Sequence, residues 1–343
     1  MIRTHIVGYE RGVPGTDIEH PVTRTAGEPA ERLAQLDSLA GAYVAGQQPA
    51  NTRRAYAAAW KIWQEYTRDA GIPPLSGTVG ALVGFVRWLE TTKAASVATI
   101  DARLAGAVAG LRHLGVPVDR EATKAAWQAL RGYERRLAEA GIVRGRGKAS
   151  PITLAHLRAL SQACPDTRAG LRDRALLLIG FTIAGRRSEL AALHVAHLVA
   201  DGGNGLVASL GYTKTGPDER PVPYGSHRDT CPVRAWQAWL AAAGIADGSA
   251  FRRVDRHDRV LDAGLSAQAV GEVVTRSGAR AELPFHITGH SLRAGLATEA
   301  RRSGADHKAV CDQGGWIYGS KAVHGYFRTV DRWTENPVRD IGL

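Results

Sequence analysis

Five short pieces of this 343-residue chain carry side chains suited to one task. In order they are Arg186-Arg187-Ser188-Glu189-Leu190, Thr213-Lys214-Thr215, His290-Ser291-Leu292-Arg293, Gly314-Gly315-Trp316 and Tyr326. Guanidinium, ammonium, imidazole and indole N–H groups all donate hydrogen bonds, and guanidinium grips phosphate oxygens in pairs. A phenol beside them is a nucleophile in waiting. Its ordinary pKa of about 10 keeps it sluggish until nearby cations stabilise the phenolate or a base takes its proton. Together the groups can clamp a phosphodiester and attack it without a metal, the chemistry of opening a nucleic-acid strand.

Each piece alone also has a plainer reading. An arginine that ends an apolar helix is common, but Phe181-Thr182-Ile183-Ala184-Gly185 drives Arg186 out through a small-residue turn. Glu189, three residues on, can orient that guanidinium or a nearby histidine, and Arg187 competes for the same role. Lys214 on a hairpin reads first as a solvated lysine; lowered in pKa, it can hand a proton to a leaving alkoxide. His290 and Arg293 are three apart at a helix start and face the same way. Trp316 reads as core, yet beside Gly314-Gly315 its N–H can approach a phosphate. Tyr326, within Ala322-Val323-His324-Gly325-Tyr326-Phe327-Arg328, reads as packed aromatic until the other four pieces are counted.

His286-x-x-x-His290 has the spacing of a helical metal pair. That reading wants a glutamate after the first histidine and a third ligand; the chain offers Ile287 and no cysteine cluster. The expectation is therefore no metal and no cofactor. Cys164, Cys231 and Cys311 are odd in number and widely spaced, as reduced cysteines are. No apolar run reaches the ~18 residues that cross a bilayer, and Met1-Ile2-Arg3-Thr4-His5 leads into no signal-peptide core, so a cytoplasmic, nucleoid-associated protein without a membrane is expected. Lys and Arg number 44 against 33 Asp and Glu, a net +11 that favours a polyanion.

The elements that must hold these groups are mostly helical. Residues 1–28 mix glycine, proline and scattered charge without a period and read as a disordered arm. Residues 29–140 form a helical domain. Asn51-Thr52 can cap a helix whose stripe is Tyr56, Ala59, Trp60 and Trp63, opposite Arg54, Lys61 and Arg68. Further helices are read near 78–92, 97–113 and 122–140. Residues 141–150 alternate glycine with Arg144, Arg146 and Lys148, a basic linker that is either a strap over a phosphate backbone or simply solvated. Residues 151–343 open with helices near 153–163 and 168–184. Strand-like runs at 205–210 and 220–224 then flank a turn holding Lys214 and Gly216-Pro217-Asp218. Helices resume near 233–243, 265–277, 291–303 and 320–328. The fold class is mainly α, with one small antiparallel sheet in the second domain.

In this order the pieces resemble the tyrosine recombinases, most closely their Cre-type members. The resemblance spans roughly residues 35–330 and includes Asn51-Thr52-Arg53-Arg54-Ala55-Tyr56 and Ser96-Val97-Ala98-Thr99-Ile100. It implies an N-terminal SAM-like core-binding domain and a C-terminal catalytic domain closing as a C-shaped clamp on duplex DNA. By position, it implies catalytic roles for Arg186, Glu189, Lys214, His290, Arg293 and Trp316, with Tyr326 as nucleophile and Lys214 as general acid. The spacing from Trp316 to Tyr326 is one residue longer than the family's, which leaves Tyr318 as a competitor.

The implied activity is site-specific recombination through a 3′-phosphotyrosine and a Holliday junction, without metal or ATP. The implied partners are double-stranded DNA with an inverted-repeat site and a homotetramer spanning two sites, the C-terminal tail docking into a neighbour. Thr52, Arg53, Arg54, Thr99, Arg103, Arg144, Arg146 and Lys148 are the candidate DNA contacts. Three other readings remain open: a type IB topoisomerase-like nicking and resealing enzyme, a DNA-binding regulator without catalysis, and a metalloenzyme that a chelator would inactivate.

Overall fold

The computed structural model describes residues 29–46, 50–145, 147, 149–213, 216–334, 336, 338, 339 and 341. The predicted arm at 1–28 therefore lies outside the described residues, as do Arg146, Lys148 and Lys214. The chain divides into two compact units, Met1–Gly145 and Arg146–Leu343. Among the described residues no helix is long and apolar enough to cross a membrane.

All regular elements among the described residues of the first unit are helices: α1 Pro29–Gly46, α2 Ala50–Asp69, α3 Val79–Thr91, α4 Val97–His113 and α5 Arg120–Glu139. Thr78 and Ser96 cap α3 and α4 by accepting the N–H groups of Ala81 and Thr99. The α2 stripe packs as its spacing demands, with Ala59 and Trp63 buried and Lys61 and Arg68 in solvent. Gly106 and Gly110, one turn apart on α4, lie directly against Ala59 and Trp60, so α2 and α4 approach more closely than side chains there would allow. One expectation shifts: α2 already begins at Ala50, which puts Asn51 and Thr52 inside its first turn rather than at its cap. Trp63 anchors the core, edge-on to Phe85 at 5.1 Å, with its indole N–H on the Pro74 carbonyl at 2.8 Å.

The second unit orders its elements α6 Leu154–Gln162, α7 Arg168–Thr182, α8 Arg187–Ala192, β1 Leu198–Asp201, β2 Gly205–Thr213, β3 Gly216–Pro223, α9 Pro232–Ala243, β4 Arg252–Val254, β5 Val260–Gly264, α10 Ala267–Arg280, α11 Gly289–Arg302, α12 His307–Gly314 and α13 Lys321–Thr334. Helix α7 is the hub: Ala175 through Phe181 are all buried, which explains its near-continuous apolar run. Strands β1, β2 and β3 form an antiparallel meander.

The strand expectation needs two corrections. Gly216-Pro217-Asp218 is strand rather than turn, since Thr213 pairs with Gly216 and Tyr212 with Pro217. Strand β3 is an edge of this sheet, where a proline without an N–H is tolerated. A second sheet, β4 with β5, was not anticipated.

Phe85 is fully buried in the first unit and touches both Trp63 and Tyr66. Phe85→Ala is expected to destabilise that unit by about 3–5 kcal/mol. Urea denaturation followed by tryptophan fluorescence measures it, and a loss below about 1 kcal/mol contradicts the packing described.

Candidate active site

The turn between α7 and α8 is built to present a cation. Its Ala184 has φ of +46°, a left-handed conformation that costs an alanine free energy and survives only where its surroundings enforce it. Gly180 and Gly185 flank the turn closely enough that a Cβ at either would press on the buried Leu190. Arg186 then serves as the N-cap of α8. Its backbone N–H donates to Glu189 Oε2 at 2.7 Å while its guanidinium pairs with Glu189 Oε1, so one carboxylate fixes both ends of the residue. About half of the Arg186 side chain remains in solvent.

Helix α11 supplies the next pair. Thr288 caps it, exchanging hydrogen bonds with Ser291, and His290 and Arg293 follow within the first two turns. The two differ in burial: His290 is exposed as a residue with its ring partly enclosed, whereas Arg293 is only 2% exposed. Arg293 Nη1 donates to the carbonyls of Ala184 and Gly314, both at 2.7 Å. Its Nη2 is buried with no hydrogen-bond partner among the described residues. The Trp316 ring lies 4.0 Å from this guanidinium, as a cation–π contact. A buried cation held by neutral carbonyls and an aromatic face, with one nitrogen unpartnered among the described residues, keeps donor capacity that an anionic oxygen could use.

The last two helices bring the aromatics in. Helix α12 ends at Gly315 in a left-handed cap of φ +59°, and the Trp316 N–H returns to the Cys311 carbonyl at 2.9 Å. On α13, Val323 and Phe327 are buried with Ala297, Val310 and Cys311 in a small cluster, against which Trp316 and Tyr326 pack. Asp331 seats the same helix, its Oδ1 accepting from Arg301 Nε at 2.7 Å and its Oδ2 lying 3.5 Å from His307 Nε2. Tyr326 is thereby half-buried, its ring 5.9 Å from that of Trp316. Tyr318 is 66% exposed in the loop before α13. The two competing tyrosines thus occupy very different surroundings.

The electrostatics show which groups share one field. Burial pushes the Tyr326 phenol above its ordinary value, opposed by Arg293 and Arg186. Burial pushes Arg293 down to about 10, and Arg186 adds to the shift; it remains a cation at neutral pH. Burial, then Arg293, Arg186 and Arg187, holds His290 below the usual histidine range, so its imidazole is neutral. Tyr326 and His290 line one cleft of about 640 Å³, together with Lys321 and His286.

The remaining predicted residues sit as follows. Arg187 is exposed, its stem packed on Gly271 and Gly289. His286 precedes the Thr288 cap of α11, so it shares no helical turn with His290, and no group of three or more potential metal ligands occurs among the described residues. In the first unit, Thr52 and Arg53 lie in the first turn of α2 with Arg54 starting the second, and Thr99 lies in the first turn of α4, its hydroxyl 2.8 Å from Ser96 Oγ. Arg103 is half-buried on α4. Arg144 Nη1 donates to the Glu90 carbonyl at 2.9 Å and to the Tyr133 hydroxyl at 2.8 Å, tying the start of the linker to the helical unit. Val338 and Ile341, in the tail, are exposed.

One charged pair escaped the sequence reading. Asp218 and Arg220 point inward from β3 beside Val222, while Glu219 and Pro221 face solvent. Ionic residues on the apolar face of an alternating strand were the available signal.

The phage integrase family matches residues 152–330. Over 299 residues the chain is 30% identical to an integrase/recombinase XerD homolog of Selenomonas ruminantium, covering 84% of each protein. The Tn1549 transposon integrase in complex with transposon right end DNA shares the fold at TM-score 0.54 and 15% identity, over 82% of this chain and 90% of that one. A lambda integrase tetramer bound to a Holliday junction shares it at TM-score 0.51 and 14% identity, over 86% and 76%.

Because the folded state disfavours His290 protonation, the unfolded chain binds that proton first. Stability from this group is therefore intact above the ordinary value of 6.5 and is lost as pH falls below it. Arg187→Gln, which removes one of the cations responsible, is expected to raise the His290 pKa toward its ordinary value. An NMR titration of the imidazole reads the shift; an unchanged or lower value contradicts the field described.

Proposed function

Because the chain belongs to the phage integrase family, the tyrosine recombinases, we propose that it is a site-specific DNA recombinase whose Tyr326 attacks the scissile phosphate. The observation that carries the residue assignment is Arg293: a buried guanidinium whose Nη2 has no partner among the described residues, beside a half-buried tyrosine in the same positive field. As the Tyr326 oxygen bonds to phosphorus, the phosphate passes through a more negative, five-coordinate state. Arg293 Nη2 and the Arg186 guanidinium donate to its non-bridging oxygens, and stabilisation grows as that charge develops. His290, disfavoured as a cation first by burial and then by the surrounding guanidiniums, accepts the phenolic proton.

The bond to the 5′-oxygen breaks as the one to tyrosine forms, leaving a 3′-phosphotyrosine and a 5′-hydroxyl. Lys214, which lies outside the described residues, is assigned by family resemblance to protonate that leaving oxygen. Trp316 covers Arg293 and packs, like Tyr326, against the small apolar cluster. Phosphodiester energy is retained in the phosphotyrosine, so a second strand's hydroxyl reverses the step without ATP or a metal.

The Cre-type arrangement extends this to the assembly. Two rounds of exchange need four protomers on two inverted-repeat sites, and lambda integrase, whose fold this chain shares, has been seen as a tetramer on a Holliday junction. Thr52, Arg53, Arg54, Thr99 and Arg103 would meet DNA from the first unit, Arg144, Arg146 and Lys148 from the linker. The tail after α13 would dock on a neighbour. Such a protein works at the nucleoid.

The test is covalent trapping on a nicked duplex carrying a site recovered by selection from random sequence. Wild type is expected to form a protein–DNA adduct at an undiminished rate in EDTA, and peptide mapping is expected to place the nucleotide on Tyr326. Tyr326→Phe should abolish the adduct while leaving DNA binding intact. Arg293→Lys should slow its formation by about 100-fold or more. Mapping to Tyr318, or an adduct that survives Tyr326→Phe, overturns the assignment.

A further inference from the structure

Arg220 is among the largest fully buried side chains of the second unit, at 0% exposure, and no step of the reaction above uses it. Its guanidinium makes a two-pronged contact with Asp218, Nε to Oδ1 at 2.8 Å and Nη2 to Oδ2 at 2.5 Å. Nη1 donates to the Ile183 carbonyl at 2.5 Å and lies 3.9 Å from Glu189 Oε2, the carboxylate that also holds Arg186. On its other side the plate meets backbone: a Cβ on Gly315 would collide with Nη2.

These contacts bracket those of Arg293. Arg293 is held by the carbonyls of Ala184 and Gly314; Arg220 touches Ile183 and Gly315, the residue immediately before the first and immediately after the second. The guanidinium of Arg220 therefore lies beneath both loops and sets how far apart the two acceptors stand. Gln313 reinforces the join, its Nε2 donating to the Thr182 carbonyl at 2.8 Å and the Pro221 carbonyl at 2.9 Å. Because Arg220 belongs to β3, paired with β2 on the way to Lys214, the same plate ties the hairpin to the phosphate receptor.

We propose that Arg220 is a positioning residue: it spaces the Ala184 and Gly314 carbonyls so that Arg293 Nη2 is aimed at the scissile phosphate, and it couples the β2–β3 hairpin to that aim. Its buried charge is matched by Asp218 and Glu189, so it adds no donor of its own to the substrate. What matters is the planar, multiply bonded plate, which a lysine does not reproduce. The proposal rests on the recombinase reading given above.

The experiment is a double-mutant cycle between Arg220 and Arg293, with Arg220→Lys as the gentler variant and Arg220→Met as the second. Two readouts are taken on the full chain: affinity for inorganic orthovanadate by calorimetry, and the rate of adduct formation on nicked duplex. Each Arg220 variant is expected to lower both by about 10-fold or more in the wild-type background, with duplex binding unchanged. Combined with Arg293→Lys, it should change them by less than about 3-fold, because the group being aimed is already gone. An equal loss in both backgrounds, or full activity in Arg220→Lys, overturns the proposal. Vanadate coupling with no adduct from wild type would sink the recombinase reading and leave the positioning role standing. Wild type that neither binds vanadate nor forms an adduct overturns both.

Discussion

The constraint on which this site depends is a buried positive charge that no carboxylate among the described residues binds directly. Arg293 is almost wholly out of water, and a bare cation there is costly unless something compensates it. The structure compensates with weak, neutral acceptors: two carbonyl oxygens and the face of Trp316. A carboxylate would have stabilised the empty site better and then competed with phosphate for the same N–H groups. The nearby acids are placed one step away instead. Glu189 serves Arg186 and Arg220, and Asp218 serves Arg220. Among these described residues three guanidiniums face two carboxylates, so one positive charge is left over, the complement of a phosphodiester's single negative charge.

From that constraint much of the local backbone follows. Carbonyls can serve as acceptors only if the loops that bear them are held rigidly, since a free loop would turn its oxygen to water. This gives a physical reason for an alanine in left-handed conformation at 184 and for a glycine at 315, where the close approach of Arg220 leaves no room for a side chain. It also explains why the C-terminus of α7, the hub of the second core, adjoins the turn: the most buried helix offers the stiffest mount.

What could be read from sequence divides along the same line. Arg186, His290, Arg293, Gly314-Gly315-Trp316 and Tyr326 sit in short motifs whose spacing is local, and their helices showed by periodicity. Sequence alone could not tell that Arg186 would be half in solvent and Arg293 buried, because that depends on which loops fold over each. Helix α8 has six residues and β4 and β5 have three and five, too short for a period to register. The Gly-Pro-Asp run at 216–218 read as a turn because its local chemistry is that of a turn, and tertiary pairing with β2 overrode it. Arg220 was missed for the same reason: once β3 was read as starting later, its inward Asp-x-Arg-x-Val face was not recognised.

The proton economy closes the argument. A buried phenol resists ionisation, and burial is the larger influence on Tyr326, so the phenol of the unliganded site stays protonated. The cations that oppose this resistance, Arg293 and Arg186, are also among those that hold His290 neutral. One field therefore does both jobs, favouring the phenolate and keeping a base free to make it. The negative charge of a bound phosphodiester offsets the guanidiniums at both groups, making His290 easier to protonate and the Tyr326 phenol harder to ionise, so that charge by itself sets no direction for a transfer between them. In the unliganded site burial disfavours the charged form of both groups, and the surrounding guanidiniums reinforce it at the imidazole and oppose it at the phenol.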